Sequence, residues 1–312
     1  MTARGVNKVA IVGAGAVGST LAYACLVRGV ARHVVLHDIN AAKVRAEALD
    51  LSHGVQFMPM AEVEGSDDVE ITRGSDLVVV TAGAKQRPGQ SRLELAEATV
   101  SLMKAIMPRL VERSPNAIFL MVTNPVDVVT YAALKISGLD PRQLFGSGTV
   151  LDSSRLRFLI AEQCGVAVQN VHAYIGGEHG DSEIPLWSTA SVGGVPLTEW
   201  PGLCPDRREQ IARQVVNAAY EIIEGKGATN YAIGLAASRI IESVLRDERR
   251  VLPVSTMLAD WHGIGDVCMS VPTVVDRAGA DERLPVPLSE EEHRLMSASA
   301  DSIRSAARAL GF

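Results

Sequence analysis

The chain has 312 residues, 47% of them hydrophobic and 21% charged, and carries a formal net charge of −6 at pH 7. That length suits two domains or one large one around a sizeable core, and the negative balance without basic clusters argues against nucleic acid or anionic membrane as partners. Seven scattered histidines and four cysteines without a C-x-x-C pair form no zinc pattern, so no metal is expected, and the unpatterned cysteines suit a reducing cytosol.

The first apolar run, Lys8 to Val12, enters Gly13-Ala14-Gly15-Ala16-Val17-Gly18 and then a helical pattern through Val27. A second apolar run, Val34 to Leu36, ends at Asp38, 20 residues beyond Gly18. Strand, G-x-G-x-x-G, helix and distant acid together form a dinucleotide fingerprint. The glycines allow the tight turn and the approach of pyrophosphate to a helix N-terminus, and the acid holds ribose hydroxyls. Ile39 and Asn40 follow the acid where an arginine would welcome a 2′-phosphate, so NAD is expected rather than NADP. Arg4 and Lys8 ahead of an apolar stretch that ends in Leu21 to Cys25 imitate an export signal. The second strand needs the first as its neighbour, which makes the segment part of the fold.

Leu77 to Val80 reads as a buried strand, and Thr81 to Arg92, rich in Gly, Pro and basic residues, reads as a lid loop. Gly146 to Arg155 reads as a turn into a helix that presents Asp152 and Arg155 three positions apart, on one face. Alone they would be an ordinary surface ion pair. Val171 to Ile175 reads as a strand leading into Gly177-Glu178-His179-Gly180-Asp181, where glycines expose a histidine between carboxylates. An aspartate on one imidazole nitrogen would fix its tautomer and favour the imidazolium, and an arginine could grip a substrate carboxylate. Farther on, Ala190 to Leu197 and Val267 to Val275 read as short strands and turns. The last helix opens with a capping box, Ser289 to Glu292, and shows Leu295, Ile303, Ala306 and Leu310 on its apolar stripe, with Ser299 as the exception. The expected architecture is α/β: residues 1–145 as a doubly wound parallel Rossmann sheet and residues 146–312 as a mixed α+β substrate domain.

Over nearly its whole length the chain resembles the lactate/malate dehydrogenase family, and within it the bacterial lactate enzymes. The resemblance rests on Val12 to Gly18, Val122-Thr123-Asn124-Pro125-Val126-Asp127, Gly146 to Arg155, Gly177 to Ser188 and Lys226-Gly227-Ala228-Thr229. It implies a reversible hydride transfer between NADH and pyruvate, with His179 as acid/base, Asp152 as its orienting carboxylate, Arg155 as substrate anchor and Arg92 as the lid arginine. It further implies Asn124, Thr229 and Gln86 beside the substrate, and Gly13, Gly15, Val17, Gly18, Asp38, Lys43, Gly83 and Asn124 around the cofactor. A cis Asn124-Pro125 bond and a cytoplasmic homotetramer also follow from the resemblance.

Relatives that take malate carry arginine where this chain has Gln86. A neutral glutamine would leave the second carboxylate of a dicarboxylate unpaired in a desolvated site, so pyruvate and lactate are favoured, although the adjacent Arg87 keeps malate as the alternative. Arg157 and His172 match the positions where bacterial members bind fructose 1,6-bisphosphate, against the plainer readings of a solvated arginine and a strand-surface histidine. A rival from another class is a nucleotide-binding sensor that has lost catalysis. Such a protein would be expected to have lost at least one of His179, Asp152, Arg155 and Arg92.

Overall fold

The computed structural model describes residues 7–84 and 92–312, with Arg92 described by its backbone only. The first part of the chain runs β1 (Lys8–Val12), α1 (Ala16–Val27), β2 (His33–His37), α2 (Ala41–His53), β3 (Glu62–Ser66), β4 (Leu77–Val80), α3 (Arg92–Arg113), β5 (Ile118–Met121), α4 (Val126–Ser137) and β6 (Leu144–Gly146). These strands pair in parallel in the order β3-β2-β1-β4-β5-β6, a doubly wound sheet. Its central strands are continuous apolar runs because helices cover both faces. Val9 and Ile11 point into one core layer with Leu21 and Leu26 of α1, while Ala10 and Val12 point into the other with Met103, Met107 and Leu110 of α3.

The remainder adds α5 (Val150–Cys164), β7 (Val171–His172), β8 (Ile175–Gly177), β9 (Glu183–Pro185), β10 (Ser191–Val192), β11 (Val195–Pro196), α6 (Pro205–Lys226), α7 (Tyr231–Arg246), β12 (Arg250–Leu258), β13 (Val267–Asp276), β14 (Gly279–Arg283) and α8 (Glu290–Ala309). Beyond β6 the main sheet continues in antiparallel fashion as β12-β13-β8-β9, with β14 beside β13. At the seam Ser255 stands opposite Gly146, where a Cβ would lie 2.5 Å from the Thr130 hydroxyl and 3.0 Å from the Ser255 Cβ. Only glycine permits that approach. α7 crosses back onto α1, and its buried Glu242 accepts from Arg28 at the end of α1 as well as from Arg239 and Arg246.

Three details differ from the sequence expectations. Val171 to Ile175 is not one strand: β7 joins a small sheet with β10 and β11, whereas β8 belongs to the main sheet. Side chains on and just before α5 cause the break, because Arg157 Nε donates to the Ala173 carbonyl, the Ile175 N–H donates to Ser153 Oγ, and Thr149 Oγ1 donates to the Ile175 carbonyl. Val267 to Val275 lies within a single ten-residue buried strand, not a set of short strands and turns. The buried face of α8 runs through Met296, Ser299, Ala300, Ile303 and Ala307, so Ser299 belongs to it while Leu295 and Leu310 sit at its margins. The capping box at Ser289 and Glu292 is formed.

Candidate active site

The glycine turn follows β1 directly. Gly13 adopts φ +107°, and a Cβ there would lie 2.7 Å from the Ala82 nitrogen; a Cβ on Gly18 would lie 1.9 Å from the Gly13 carbonyl oxygen. Both positions therefore require glycine. A Cβ on Gly15 would meet nothing within 4 Å, and α1 starts there without a side-chain cap. Open space in front of uncapped N–H groups at a helix N-terminus fits a pyrophosphate. Asp38, at the end of β2, takes the Ala14 N–H on one oxygen at 2.8 Å and the Asn40 N–H on the other at 3.0 Å. Each oxygen keeps a lone pair for a ribose hydroxyl. Val17 packs against the core beside this turn, and Lys43 is exposed in the first turn of α2, where its N–H donates to the capping Asn40 side chain. Gly83 is held close to Thr123, whose Cγ2 would lie 2.3 Å from an added Cβ.

The second half of the site is built around His179, in the Gly-rich link between β8 and β9. Gly177 and Gly180 take φ of +89° and +130° on either side of it. The imidazole Nδ1 donates to Asp152 Oδ2 at 2.6 Å, leaving Nε2 as the nitrogen that can exchange a proton. Asp152, buried on the first turn of α5, accepts from Arg155 Nη1 on its other oxygen at 2.8 Å. The loop backbone is tied as well: the His179 N–H donates to Asp127 Oδ2 at 2.7 Å, and the Glu178 N–H donates to Ser299 Oγ at 2.8 Å. The catalytic candidate is thus gripped from α5, α4 and α8 together.

Charge follows from this packing. Burial pulls the His179 pKa down, but the Asp152 charge and hydrogen bond, with Asp127 and Glu183 behind them, raise it to about 9. Asp152 feels the opposite balance: burial pushes its carboxyl up, and the His179 charge and hydrogen bond together with Arg155 hold it below the usual carboxylate range. Burial and then the Asp152 charge lift Glu183 to about 8, and burial lifts Asp127 to about 6. Ligand atoms of Asp152, His179 and Glu183 lie within 4.8 Å of one another, a spacing a metal ion could span, yet both Asp152 oxygens already accept hydrogen bonds.

Asn124 is exposed, just beyond β5, and its bond to Pro125 is cis as expected. Thr229 is half-buried in the link between α6 and α7, which Asn230 fastens to α1 through a 2.9 Å hydrogen bond to Thr20 Oγ1. Arg157 bonds the Ala173 carbonyl at 2.8 Å and lies 4.9 Å from the Tyr174 ring centre. His172 is exposed one residue before that carbonyl, so these two candidates sit on adjoining elements. Gln86, with Lys85, Arg87 and Gln90, lies outside the described residues; Arg92 is located only as the first residue of α3. Sequence reasoning missed Asp127, Ser153, Glu183 and Ser299. The signals were faint: Asp127 is a lone acid among Val126, Val128 and Val129, and Ser299 is a lone polar residue in an apolar stripe.

Family models for the lactate/malate dehydrogenase NAD binding domain and alpha/beta C-terminal domain match residues 7–146 and 149–309. The chain belongs to the lactate/malate dehydrogenase family. This family member is an NAD-dependent oxidoreductase. It is 56% identical to an L-lactate dehydrogenase of Bifidobacterium animalis subsp. lactis, covering 98% of both chains. It is 45% identical to an L-lactate dehydrogenase of Thermoanaerobacter sp., covering 96% of this chain and 97% of the relative. Among solved structures it resembles a lactate dehydrogenase from a Medee basin deep-sea metagenome, with a TM-score of 0.94, 36% identity and coverage of 99% and 100%. It also resembles the minor L-lactate dehydrogenase of Enterococcus mundtii in its ligand-bound form, with a TM-score of 0.93, 37% identity and coverage of 97% and 98%. No helix among the described residues is long and apolar enough to cross a membrane.

Proposed function

We propose that the enzyme is an L-lactate dehydrogenase that interconverts pyruvate and (S)-lactate, with His179 as acid/base. The observation that carries this reading is the Asp152 carboxylate bonded at once to His179 Nδ1 and Arg155 Nη1. NADH, when bound at the glycine turn, supplies the hydride. His179 in its charged form hydrogen-bonds the ketone oxygen through Nε2 and gives it the proton as that oxygen becomes alkoxide-like. Asp152 keeps the ring in the required tautomer, and Arg155, with one nitrogen fixed on Asp152, turns its other N–H donors to the substrate carboxylate. Asn124 and Thr229 line the substrate, and Arg92 polarises the carbonyl in a site from which substrate displaces water. Gly13, Gly15, Val17, Gly18, Asp38, Lys43, Gly83 and Asn124 hold the dinucleotide, so residues 1–145 form the cofactor domain and lend Gln86, Arg92 and Asn124 to the substrate, while residues 146–312 form the substrate domain. The relatives named above are lactate enzymes, which supports this choice of substrate.

Gln86 selects pyruvate because it offers no charge to a second carboxylate; Arg87 beside it favours malate as the second reading. Arg157 and His172 bind fructose 1,6-bisphosphate in a cytoplasmic homotetramer and shift α5 and the His179 loop together. The test is NADH oxidation with pyruvate and with oxaloacetate, each with and without fructose 1,6-bisphosphate. Preference for pyruvate, reversed toward oxaloacetate in Gln86→Arg, supports the substrate assignment. Preference for oxaloacetate in the unmodified enzyme overturns it, and a pyruvate saturation curve unmoved by the bisphosphate overturns the activator site.

A further inference from the structure

We propose that Asp127 is a positioning residue, which fixes the backbone of His179 from the first turn of α4 and so registers the imidazole against the segment that carries Asn124. The inference rests on the reading of His179 as acid/base and adds a group that none of the catalytic assignments uses. Asp127 is 2% exposed, and its Oδ2 accepts the His179 N–H at 2.7 Å across 52 residues of sequence. α4 is a firm base, because every residue from Val126 to Leu134 is buried. Asn124 lies three residues before Asp127, so one short segment carries both the residue beside the dinucleotide and the tie to the histidine backbone.

The bond to Asp152 restrains only the imidazole; a ring held at Nδ1 alone could still swing as the glycine-flanked loop moves. The tie at the backbone nitrogen removes that freedom. A hydroxyl or an amide could accept one N–H as well, yet the position holds a carboxylate whose second oxygen is buried without a well-formed hydrogen bond, the Ser255 hydroxyl being near and itself unpartnered. Burying such a group is unfavourable, and here burial raises its pKa to about 6, against the Ser255 hydroxyl, the His179 N–H and the His179 charge. The ionised form is favoured by its place at the N-terminus of α4. Its charge favours the imidazolium alongside that of Asp152, while Glu178 acts against the ionised Asp127 and Glu183 and Arg155 act on the same histidine cluster. Asp127 therefore supports His179 twice, through the backbone tie and through its charge.

The test compares Asp127→Ala, Asp127→Asn and His179→Asn in the full-length enzyme. Its readouts are steady-state NADH oxidation with pyruvate against pH, NADH affinity by fluorescence, and hydrogen exchange of the 176–183 peptide. Asp127→Ala is expected to lose at least about tenfold in kcat at unchanged NADH affinity, with faster exchange of the peptide. Asp127→Asn keeps an acceptor for the N–H and is expected to recover kcat to within about threefold, with its kcat/KM decline moved to lower pH. Wild-type kcat in the alanine variant, or equal losses of NADH affinity and kcat, overturns the proposal. If the alanine variant does not fold, the asparagine variant decides: a kcat/KM decline that stays at the wild-type pH overturns it. His179→Asn separates the two readings, since an active His179→Asn enzyme sinks the acid/base assignment, whereas an inactive one beside a normal Asp127→Ala enzyme sinks only this inference.

Discussion

At the scale of single residues, the proposed acid/base role of His179 ties the pH behaviour of both directions of the reaction to its raised pKa. Pyruvate reduction needs the charged imidazole and lactate oxidation the neutral one, so kcat/KM for pyruvate should fall as pH rises through about 9 while kcat/KM for lactate rises there. Asp152→Asn removes the main group that raises this pKa and should move both transitions downward, toward the ordinary histidine value of 6.5; profiles that stay in place would remove Asp152 from its assigned role. The same shift bears on stability. A pKa raised by folding stabilises the native state fully below 6.5, and that contribution is lost as pH rises through about 9. Asp127 acts in the same sense over a lower window, from its unfolded value of 3.8 to about 6.

At the scale of elements, the His179 loop has no regular structure of its own and borrows its rigidity from α4, α5 and α8. Ser299 supplies the hold from α8, accepting the Glu178 N–H and meeting the Ser182 hydroxyl at 3.0 Å. Ser299→Ala leaves a half-buried N–H without its partner, for which a loss of about 1–3 kcal/mol is expected, read as a lower Tm with a raised KM for pyruvate. An unchanged Tm and KM would mean that water replaces the serine at no cost. Much of this site was legible in the sequence, because glycines, charged residues and their spacing are local signals: the turn at Gly13 to Gly18, Asp38, and the His179, Asp152 and Arg155 set were all found that way. The ties from Asp127 and Ser299 were not, since each spans 52 or more residues and depends on packing that no periodicity encodes. β7 and β8 were merged for the same reason, their separation being caused by side chains of a helix earlier in the chain.

At the scale of the whole molecule, the two matched segments are bound together by more than the shared sheet. Glu242 of α7 collects Arg28 from the end of α1, along with Arg239 and Arg246 of its own helix. Burial raises its pKa, but hydrogen bonds from Arg239 and Arg28 outweigh this and leave it below 4.5. A depressed carboxylate pKa stabilises the native state above 4.5, and this is lost as pH falls through the lower folded value. Glu242→Gln is therefore expected to cost about 1–2 kcal/mol at pH 7, the arginines being partly solvated, and to lower Tm by a few degrees. The difference from wild type should close on acidification below pH 4.5; a gap that persists in acid would assign the loss to packing instead of charge.

The arrangement of α5 has a consequence for how this chain can change over time. Asp152, Ser153, Arg155 and Arg157 leave one stretch of helix to meet, in turn, the imidazole, the Ile175 N–H, the Asp152 carboxylate and the Ala173 carbonyl. Substitutions can be sampled one position at a time, but a single-residue insertion between Asp152 and Arg157 would rotate everything after it by about 100°. Contacts on opposite sides of the insertion could then not be satisfied together, so this segment can drift in composition while its length stays frozen.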